Sequence, residues 1–335
     1  MTLAEAFLWP LTLPYGAVTY MRARAYRMGL LRPRRLPGMV ISVGNLTAGG
    51  TGKTPMVLWI AERLASEGKR AGILTRGYGG ASTSAGHTSD EVQLLAARLG
   101  NRVELGVGAD RWARGSELAQ RGVEWFVLDD GFQHLQLARD VDIVLMDATN
   151  PFGGGHLIPA GRLREGRRAL GRADIIVITR SSHAPAVEAA VRRHSGAPIF
   201  YARPQLESVC LLRGEYPGVE DAGARAHRFF AFCGIGNPAT FLADAREWNL
   251  QIAGHRFFPD HHRYTQRDMN ALAEQARAAG AGSLLCTEKD VFNLAGVQSR
   301  PIEIRYARIC MRLDREEDFW RAVVARAASR KAARA

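Results

Sequence analysis

Residues 38–68 place an apolar strand, a glycine-rich loop and a helix in immediate succession, and this order constrains the fold more than any other segment. The run GMVISVG at 38–44 is typical of a buried strand, and TPMVLWIAERLASEG at 54–68 has helical spacing. The loop between them ends in Gly-Lys-Thr, although Thr47 stands where a phosphate-binding loop has its first glycine. Such a loop directs backbone N–H groups and a helix N-terminus at one point, which stabilises an anion. We therefore predict a nucleotide site.

The residues of this loop have distinct expected roles. Lys53 supplies a positive charge to the β- and γ-phosphates, and the Thr54 hydroxyl can bind Mg²⁺. The glycines leave room for phosphate oxygens beside the backbone. The alternative is a glycine-rich turn that merely precedes a helix. The nucleotide-binding residues predicted from the loop are Thr47, Gly49, Gly50, Thr51, Gly52, Lys53 and Thr54.

The rest of the chain predicts an α/β fold in more than one domain, because 335 residues exceed the size of one ordinary domain. Further apolar runs alternate with helical segments, which predicts a mostly parallel, P-loop NTPase-like sheet with helices on both faces. We expect an N-terminal helical segment at 1–36, a P-loop kinase domain at 37–206 and a smaller α/β domain at 207–335. Two such α/β units would form a cleft that closes over ligands.

Charge and cysteine usage limit the classes of partner. The formal net charge is +12 at pH 7, which favours an anionic partner but does not distinguish nucleotide, nucleic acid, phospholipid surface and phosphorylated substrate. The four cysteines are far apart and include no C-x-x-C pair, so we expect reduced thiols and no structural zinc.

The N-terminus predicts an amphipathic helix at a membrane surface. The uncharged stretch AFLWPLTLPYGAVTYM at 6–21 is interrupted by Pro10 and Pro14 and is followed by six arginines between 22 and 35. A spanning helix needs about 20 apolar residues, so this stretch is too short. The positive charge follows the apolar stretch, unlike that of a signal peptide. An interfacial helix fits this pattern, and an ordinary helix packed on the core is the alternative.

Charged residues follow several of the predicted strands. LDDGFQH at 128–134 places Asp129 and Asp130 after a strand that we expect beside the P-loop strand, where a carboxylate can hold Mg²⁺. Arg76 in TRGYGG could reach phosphate or substrate, or the segment could be a plain glycine turn. PAGRLRE at 159–165 is either an anion clamp or a solvated loop.

Two further candidates lie elsewhere in the chain. Asp90 stands at a helix start, where we interpret it first as a cap and as a base only if another feature points to it. FFPDHHRY at 257–264 contains His261 and His262 beside Asp260. This segment could take part in catalysis, hold a metal or make structural hydrogen bonds, and the spacing leaves all three open.

Taken in order, the segments VGNLTAGGTGKTP, TRGYGG, SDE, LDDGFQH, LIPAGRLRE, FCGIGNP, FPDHHRY and TEKD resemble the tetraacyldisaccharide 4'-kinase family of lipid A synthesis. That family has Thr at the first-glycine position, so Thr47 is a family trait. The resemblance implies ATP- and Mg²⁺-dependent phosphorylation of the 4'-hydroxyl of a tetraacylated, lipid-linked glucosamine disaccharide 1-phosphate. It also implies a peripheral or monotopic protein at the cytoplasmic face of the inner membrane.

The resemblance further implies roles for individual residues. Asp90 would be the base that activates the hydroxyl, paired with His261, and Lys53 would act on the transferred phosphate. The metal-associated residues would be Thr54, Glu91, Asp129, Asp130 and Glu165. The residues around the substrate and phosphates would be Arg76, Tyr78, Gln133, His134 and Arg164.

The alternative from another class is a P-loop ATPase that binds nucleic acid. The sequence shows no pattern of stacking aromatics and no basic groove, so we expect no nucleic-acid partner. A GTPase is a third option, but TEKD at 287–290 does not have the order of the base-reading N-K-x-D segment.

Overall fold

A computed structural model describes residues 3–77, 89–214 and 216–333. The helices of the described residues are α1 (Leu3–Arg27), α2 (Lys53–Ser66), α3 (Asp90–Leu99), α4 (Arg111–Gln120), α5 (Pro185–Arg192), α6 (Pro238–Glu247), α7 (Gln266–Ala278), α8 (Glu288–Phe292) and α9 (Glu316–Ala332). The strands are β1 (Met39–Asn45), β2 (Ala71–Thr75), β3 (Glu104–Val107), β4 (Trp125–Asp129), β5 (Val141–Asp147), β6 (Ile175–Thr179), β7 (Ile199–Leu211), β8 (Val219–Glu220), β9 (Arg228–Cys233), β10 (Gln251–Phe257), β11 (Ser283–Thr287) and β12 (Ile304–Leu313).

The chain forms two compact units. Within the described residues, the first unit comprises 3–77, 101–203 and 311–333, and the second comprises 89–100 and 204–310. These units divide the chain differently from the predicted segments, because α3 belongs to the second unit and α9 to the first. Phe319 of α9 packs edge-on against Trp59 of α2 and Phe200 of β7, which holds the chain end in the first unit. As folding domains, the three predicted segments remain a proposal.

The first unit is built on a parallel sheet with the strand order β7-β6-β5-β1-β4-β2-β3. Every residue of β1, β5 and β6 is buried, as expected of strands covered on both faces. Helix α2 packs on β1, β2 and β4, and α9 packs on β1 and β5. The predicted α/β fold with a mostly parallel sheet is confirmed.

The order of this sheet determines which side chains meet at its carboxyl edge. Strand β1 pairs with β4 in parallel, and Val43 lies opposite Asp129. The prediction that the strand ending in two aspartates lies beside the P-loop strand is therefore confirmed. Ligands of open parallel sheets bind at the carboxyl ends of the strands.

The second unit has the strand order β10-β9-β11-β12, with β9, β10, β11 and β12 paired in parallel. Its largest core cluster joins apolar residues of α7 to these strands and includes Phe230, Phe232, Met269, Leu272 and Tyr306. Helix α7 begins with a capping box, in which Thr265 and Asp268 exchange hydrogen bonds.

Helix α1 is the predicted N-terminal helix, and it continues through Pro10 and Pro14. Its apolar side chains stay largely in solvent, since Trp9 is 45%, Leu11 57% and Leu13 62% exposed. The phenolic hydroxyl of Tyr15 donates a hydrogen bond to the carbonyl of Arg164, at 3.1 Å. In the described part of the chain, no helix is long and apolar enough to cross a membrane.

Candidate active site

The P-loop connects the buried end of β1 to the first turn of α2. Gly49 has φ 122° and Gly52 has φ 88°, which is the left-handed region that favours glycine. Thr47 is not among the residues with positive φ, so its position does not require a glycine. Its backbone bridges to that of Leu163.

Hydrogen bonds hold the loop in shape. The amide of Asn45 donates to the Thr51 hydroxyl at 2.9 Å, and the Lys53 ammonium donates to the Asn45 side-chain carbonyl at 3.2 Å. The Thr179 hydroxyl of β6 donates to the carbonyl of Thr51 at 3.1 Å. A Cβ atom at Gly50 would meet no atom within 4 Å, so the loop is open on that side. The loop therefore leaves open space beside Gly50, where an anion could approach its backbone.

Asp130 forms a charged cluster with two cations beside the loop. Its carboxylate lies 3.5 Å from the Lys53 Nζ atom and accepts two hydrogen bonds from Nη1 of Arg164, at 2.6 and 2.7 Å. Burial would raise the pKa of Asp130, but the charges of Lys53 and Arg164 outweigh it and lower that pKa. The cluster therefore keeps a carboxylate between a lysine and an arginine at neutral pH.

Asp129 ends β4 and is buried, and its Oδ2 atom accepts a hydrogen bond from the Thr75 hydroxyl at 3.0 Å. Thr54 is also buried, in the first turn of α2. The possible metal ligands of these residues are a hydroxyl and carboxylate oxygens. Mg²⁺ takes such oxygen ligands together with nucleotide phosphates. The chemistry of these side chains therefore fits an oxygen-bound ion such as Mg²⁺. In the ranges that the structure describes, no three His, Cys, Asp or Glu side chains come together as a possible metal group.

The remaining acidic residues of the predicted metal set are paired with cations. Arg172 donates to both oxygens of the buried Glu165, at 2.8 and 2.9 Å. Glu91, in the second unit, accepts a hydrogen bond from the Lys289 ammonium. A metal role for these carboxylates stays a prediction, and any such role must accommodate the cation that each one already contacts.

Four of the substrate residues expected from the resemblance lie in the first unit. Gln133 donates to the carbonyl of Asn45 at 3.1 Å, and its side-chain oxygen lies 3.4 Å from Arg164 Nη1. Burial and the nearby charges of Arg111, Arg139 and Arg22 lower the pKa of His134 to about 4, so its ring is neutral at pH 7. Arg76 directly follows β2 and is exposed. Tyr78 lies outside the described residues.

A second ionisable cluster belongs to the second unit and centres on Asp90. Ser89 caps α3 by accepting from the N–H of Val92 at 3.4 Å, so the interpretation of Asp90 as the cap is corrected. Asp90 is the first residue of the helix, and Oδ1 accepts from the backbone N–H of Glu91 at 2.8 Å. The Asp90 carboxylate thus bonds to the first turn of its own helix and also contacts other side chains.

The main partner of Asp90 is His261. Its Nδ1 atom lies 3.0 Å from Oδ2 and 3.1 Å from Oδ1 of the carboxylate. Burial would raise the pKa of Asp90, but the hydrogen bond and charge of His261, with Lys289 and Asn293, lower it. The hydrogen bond to Asp90 raises the pKa of His261 against the effect of burial. The two side chains therefore favour a carboxylate and an imidazolium, and an oriented carboxylate is a group that can accept a proton.

His262 has a different environment from its neighbour. Nε2 lies 3.1 Å from Oδ2 of Asp268, and the ring stacks on Phe258 with centroids 4.6 Å apart. Of the three readings of the Asp-His-His segment, structural hydrogen bonding fits His262. His261 has the geometry for proton transfer, and the segment does not supply a third metal ligand near it in the described structure.

Two functional neighbours were not predicted from the sequence. Asn45 holds Lys53, and its position directly after the β1 run could have indicated this. Asn293 donates from its Nδ2 atom to Oδ2 of Asp90 at 3.1 Å. No local pattern marks Asn293, because the contact joins residues 203 positions apart.

Comparison with known proteins identifies the family. The family model described as tetraacyldisaccharide-1-P 4'-kinase (LpxK) matches residues 4–328. The tetraacyldisaccharide 4'-kinase of Geobacter metallireducens is 41% identical over 326 residues, which covers 92% of this chain and 93% of that protein. The one from Pelobacter propionicus is 38% identical, over 88% of this chain and 84% of that protein.

A solved structure gives the same result. LpxK from Aquifex aeolicus, determined in complex with ATP, is similar to this chain with a TM-score of 0.73 and 28% identity. The similarity covers 97% of this chain and 99% of the other. With the match to the family model and the two relatives, the chain belongs to the tetraacyldisaccharide-1-P 4'-kinase family.

Proposed function

We propose that the chain transfers the γ-phosphate of ATP to the 4'-hydroxyl of a tetraacylated glucosamine disaccharide 1-phosphate. The observation that carries this proposal is the match to the kinase family over residues 4–328, which contain the P-loop with its Lys53–Asp130 contact. The alternative of a nucleic-acid-binding ATPase has no support, because the family and the named relatives have a different activity.

ATP is the expected phosphate donor, as in the Aquifex aeolicus complex. Backbone N–H groups of residues 49–54 would bind the phosphate oxygens, and Lys53 would contribute its charge to the β- and γ-phosphates. Asn45 orients the Lys53 ammonium at 3.2 Å. Lys53 contacts Asp130 in the structure and would also face the phosphates, while Arg164 pairs with the same carboxylate.

Mg²⁺ is the expected metal, held by the Thr54 hydroxyl and by Asp129 or Asp130. When bound, it would neutralise charge on the phosphates, which the loose transition state of phosphoryl transfer requires. Glu91 and Glu165, whose carboxylates contact Lys289 and Arg172, are proposed to contribute negative charge without binding the metal directly.

We assign activation of the acceptor hydroxyl to Asp90. Its carboxylate is deprotonated at neutral pH and can accept the hydroxyl proton, which then lies on the hydrogen-bonded Asp90–His261 pair. A carboxylate of lowered pKa is a weak base. In a loose transition state, however, the hydroxyl loses its proton late, so orientation contributes more than base strength.

The acceptor requires cationic and polar groups around its phosphate and sugar. Arg76, Tyr78, Gln133, His134 and Arg164 are the proposed substrate residues. The neutral His134 ring can accept or donate a hydrogen bond to a sugar hydroxyl without adding charge. The guanidinium of Arg164 can donate two parallel hydrogen bonds to one phosphate, which suits a phosphorylated disaccharide.

The substrate is acylated, so we propose that α1 binds the surface of the bilayer. Its exposed Trp9, Leu11 and Leu13 can enter the acyl boundary, and the arginines between 22 and 35 can lie among anionic headgroups. The cytoplasmic face of the inner membrane, where ATP is available, is the proposed location.

The experiment is to incubate the purified chain with Mg·ATP and the detergent-dispersed disaccharide 1-phosphate and to analyse the lipid by mass spectrometry. We expect a lipid with one additional phosphate, formed in equal amount to ADP. Failure to form it under conditions in which the Geobacter metallireducens relative does so would contradict the proposal.

A further inference from the structure

Asn293, at the end of α8, contacts both sides of the Asp90–His261 pair. Its side-chain amide donates to Oδ2 of Asp90 at 3.1 Å. Its backbone carbonyl accepts from the N–H of Tyr264, three residues beyond His261 in the chain, at 3.1 Å. One residue therefore fixes the Asp90 carboxylate and the segment that presents the imidazole.

The position of Asn293 is itself determined by a buried carboxylate in the same short helix. Asp290 accepts hydrogen bonds from the N–H of Gly234 at 2.8 Å and from the hydroxyl of Tyr264 at 2.7 Å. It also accepts from the N–H and hydroxyl of Thr287, which completes the capping box of α8. Helix α8 is thus anchored to the end of β9 and to the segment after His261.

His261 depends on the same anchor. Its backbone has φ 58°, a left-handed conformation that is uncommon for residues other than glycine. The N–H of His261 donates to the carbonyl of Gly234 at 3.0 Å, and the N–H of Gly234 donates to Asp290. Gly234 therefore links the backbone of the histidine directly to α8.

We propose that Asn293 is a positioning residue for the proposed base: its amide orients the Asp90 carboxylate toward the acceptor, while its backbone keeps the His261 segment in register with it. The inference rests on the proposed function, because it concerns the group that would receive the hydroxyl proton. Asn293 acts through Asp90 and has no role of its own in the reaction.

The charges around Asp90 determine how a change at Asn293 would be observed. His261 and Lys289 face the carboxylate as cations, and Glu91 and Asp260 are the acidic groups near the pair. Asn293 adds a hydrogen bond without adding charge. Its amide stabilises the ionised form of Asp90, so removing it raises the pKa of Asp90 and requires a higher pH for the base to be ionised.

The test compares Asn293→Ala and Asn293→Asp with Asn270→Ala, which removes an exposed asparagine of α7 in the same unit. A hydrogen bond to a charged group contributes enough free energy to change a rate by about tenfold or more. For Asn293→Ala we expect kcat on the lipid to fall about tenfold while KM for ATP stays unchanged. The acidic limb of the kcat–pH profile should move to higher pH.

Asn293→Asp should move the acidic limb further, because it places a second carboxylate against Asp90. Asn270→Ala should retain the parent kcat and profile. Circular dichroism and a melting curve verify that each variant folds, and the Asp variant, which retains the shape of asparagine, provides the test if the Ala variant is unfolded. A parent kcat and an unmoved acidic limb in the folded variants would overturn the inference.

A readout without lipid separates this inference from the proposed function. The titration of Asp90 can be followed through the ring NMR signals of His261, with His261→Gln to assign them. Asn293→Ala should move the Asp90 step to higher pH even if the parent phosphorylates no lipid. An unmoved step overturns the positioning role, whereas an inactive parent contradicts only the proposed function.

Discussion

Nδ1 of His261 lies 3.0 Å from Oδ2 and 3.1 Å from Oδ1 of Asp90, although 171 positions separate the two residues in the chain. The second unit joins them because α3 packs on α8, while α8 is anchored to the segment that contains His261. The imidazole therefore bridges both oxygens of a buried carboxylate. We expect the two side chains to act as one unit in proton transfer.

Because Asp90 and His261 are expected to share one role, we expect strong non-additivity in a double-mutant cycle. Asp90→Asn and His261→Ala should each lower kcat by about 100-fold, the range of a positioned acid or base. The double variant should lose far less than the product of these factors, as residues with one shared role do. Steady-state kinetics on the lipid measures all four corners. Full additivity would show that the two residues do separate jobs.

The P-loop predicts a large effect of Lys53→Ala on turnover. Removing the ammonium eliminates the positive charge proposed to act on the transferred phosphate, which should lower kcat by about 100-fold or more. The fold should survive, because Asp130 keeps its hydrogen bonds to Arg164. Lys69→Ala, at an exposed lysine after α2, is the matched control and should leave kcat unchanged. Near-parent turnover in Lys53→Ala would contradict the P-loop assignment.

The sequence predicted the parts of the fold that follow from local pattern. The β1–loop–α2 order is visible in apolar runs and glycine spacing, and the position of Asp129 beside β1 follows from the rules of parallel sheets. Which loop positions require a glycine was not predictable, because the positive φ values at Gly49 and Gly52 appear only once the loop is folded.

Contacts between distant residues account for most of what the sequence did not predict. Only the family resemblance indicated that His261 pairs with Asp90, because the segment of His261 alone left three roles open. Asn293 and Lys289 were not predicted as neighbours of the Asp90 region, because no periodicity relates α8 to α3. The interpretation of Asp90 as a cap failed because Ser89 has the same capping chemistry one position earlier.

Removing the Asp290 side chain should lower the free energy of unfolding, although Asp290 is not one of the proposed substrate residues. It is fully buried, and Asp290→Ala would leave the donors of Gly234, Tyr264 and Thr287 without their acceptor. We expect a loss of about 3–5 kcal/mol in the free energy of unfolding, because each buried unsatisfied group costs about 1–3 kcal/mol. Asp260→Ala, at an exposed aspartate, is the control. Urea denaturation that gave equal stability for both variants would refute the anchoring role.

The lowered pKa of His134 should make the stability of the first unit depend on pH. Its pKa is lowered to about 4 in the folded chain, from the ordinary value of 6.5. The folded state thus binds the proton more weakly than the unfolded state, so stability falls as the pH drops from about 6.5 towards 4. After allowance for the partial exposure of the ring, we expect His134 to account for about 1 kcal/mol of the loss between pH 7 and pH 5.

The measurement for His134 is the midpoint of chemical denaturation at these two pH values. His134→Gln removes the titrating ring, so its stability should fall less than that of the parent. His183→Gln, at an exposed histidine, is the matched control and should fall as the parent does. If the stability of His134→Gln fell between the two pH values by as much as that of the parent, the His134 ring would not have a lowered pKa in the folded chain.

The exposed apolar residues of α1 predict binding to vesicles. Replacing Trp9, Leu11 and Leu13 with Ser should weaken binding to anionic vesicles by about tenfold or more, because apolar area no longer enters the acyl boundary. ATP affinity should stay unchanged. The matched control replaces the exposed apolar residues Val219, Phe257 and Val324 with Ser. Equal loss in both variants, or unfolding of the α1 variant, would contradict membrane binding by this helix.

The fate of the γ-phosphate tests the proposed phosphoryl transfer to the 4'-hydroxyl. The chain is incubated with Mg²⁺, ATP labelled in its γ-phosphate and the disaccharide 1-phosphate in mixed micelles, and the lipid product is isolated and its phosphorylated position determined. We expect the label on the 4'-oxygen of the lipid, in equal amount to the ADP formed, and we expect Lys53→Ala to form almost no labelled lipid. Label in free phosphate with an unlabelled lipid, or label at another hydroxyl, would contradict the proposed transfer.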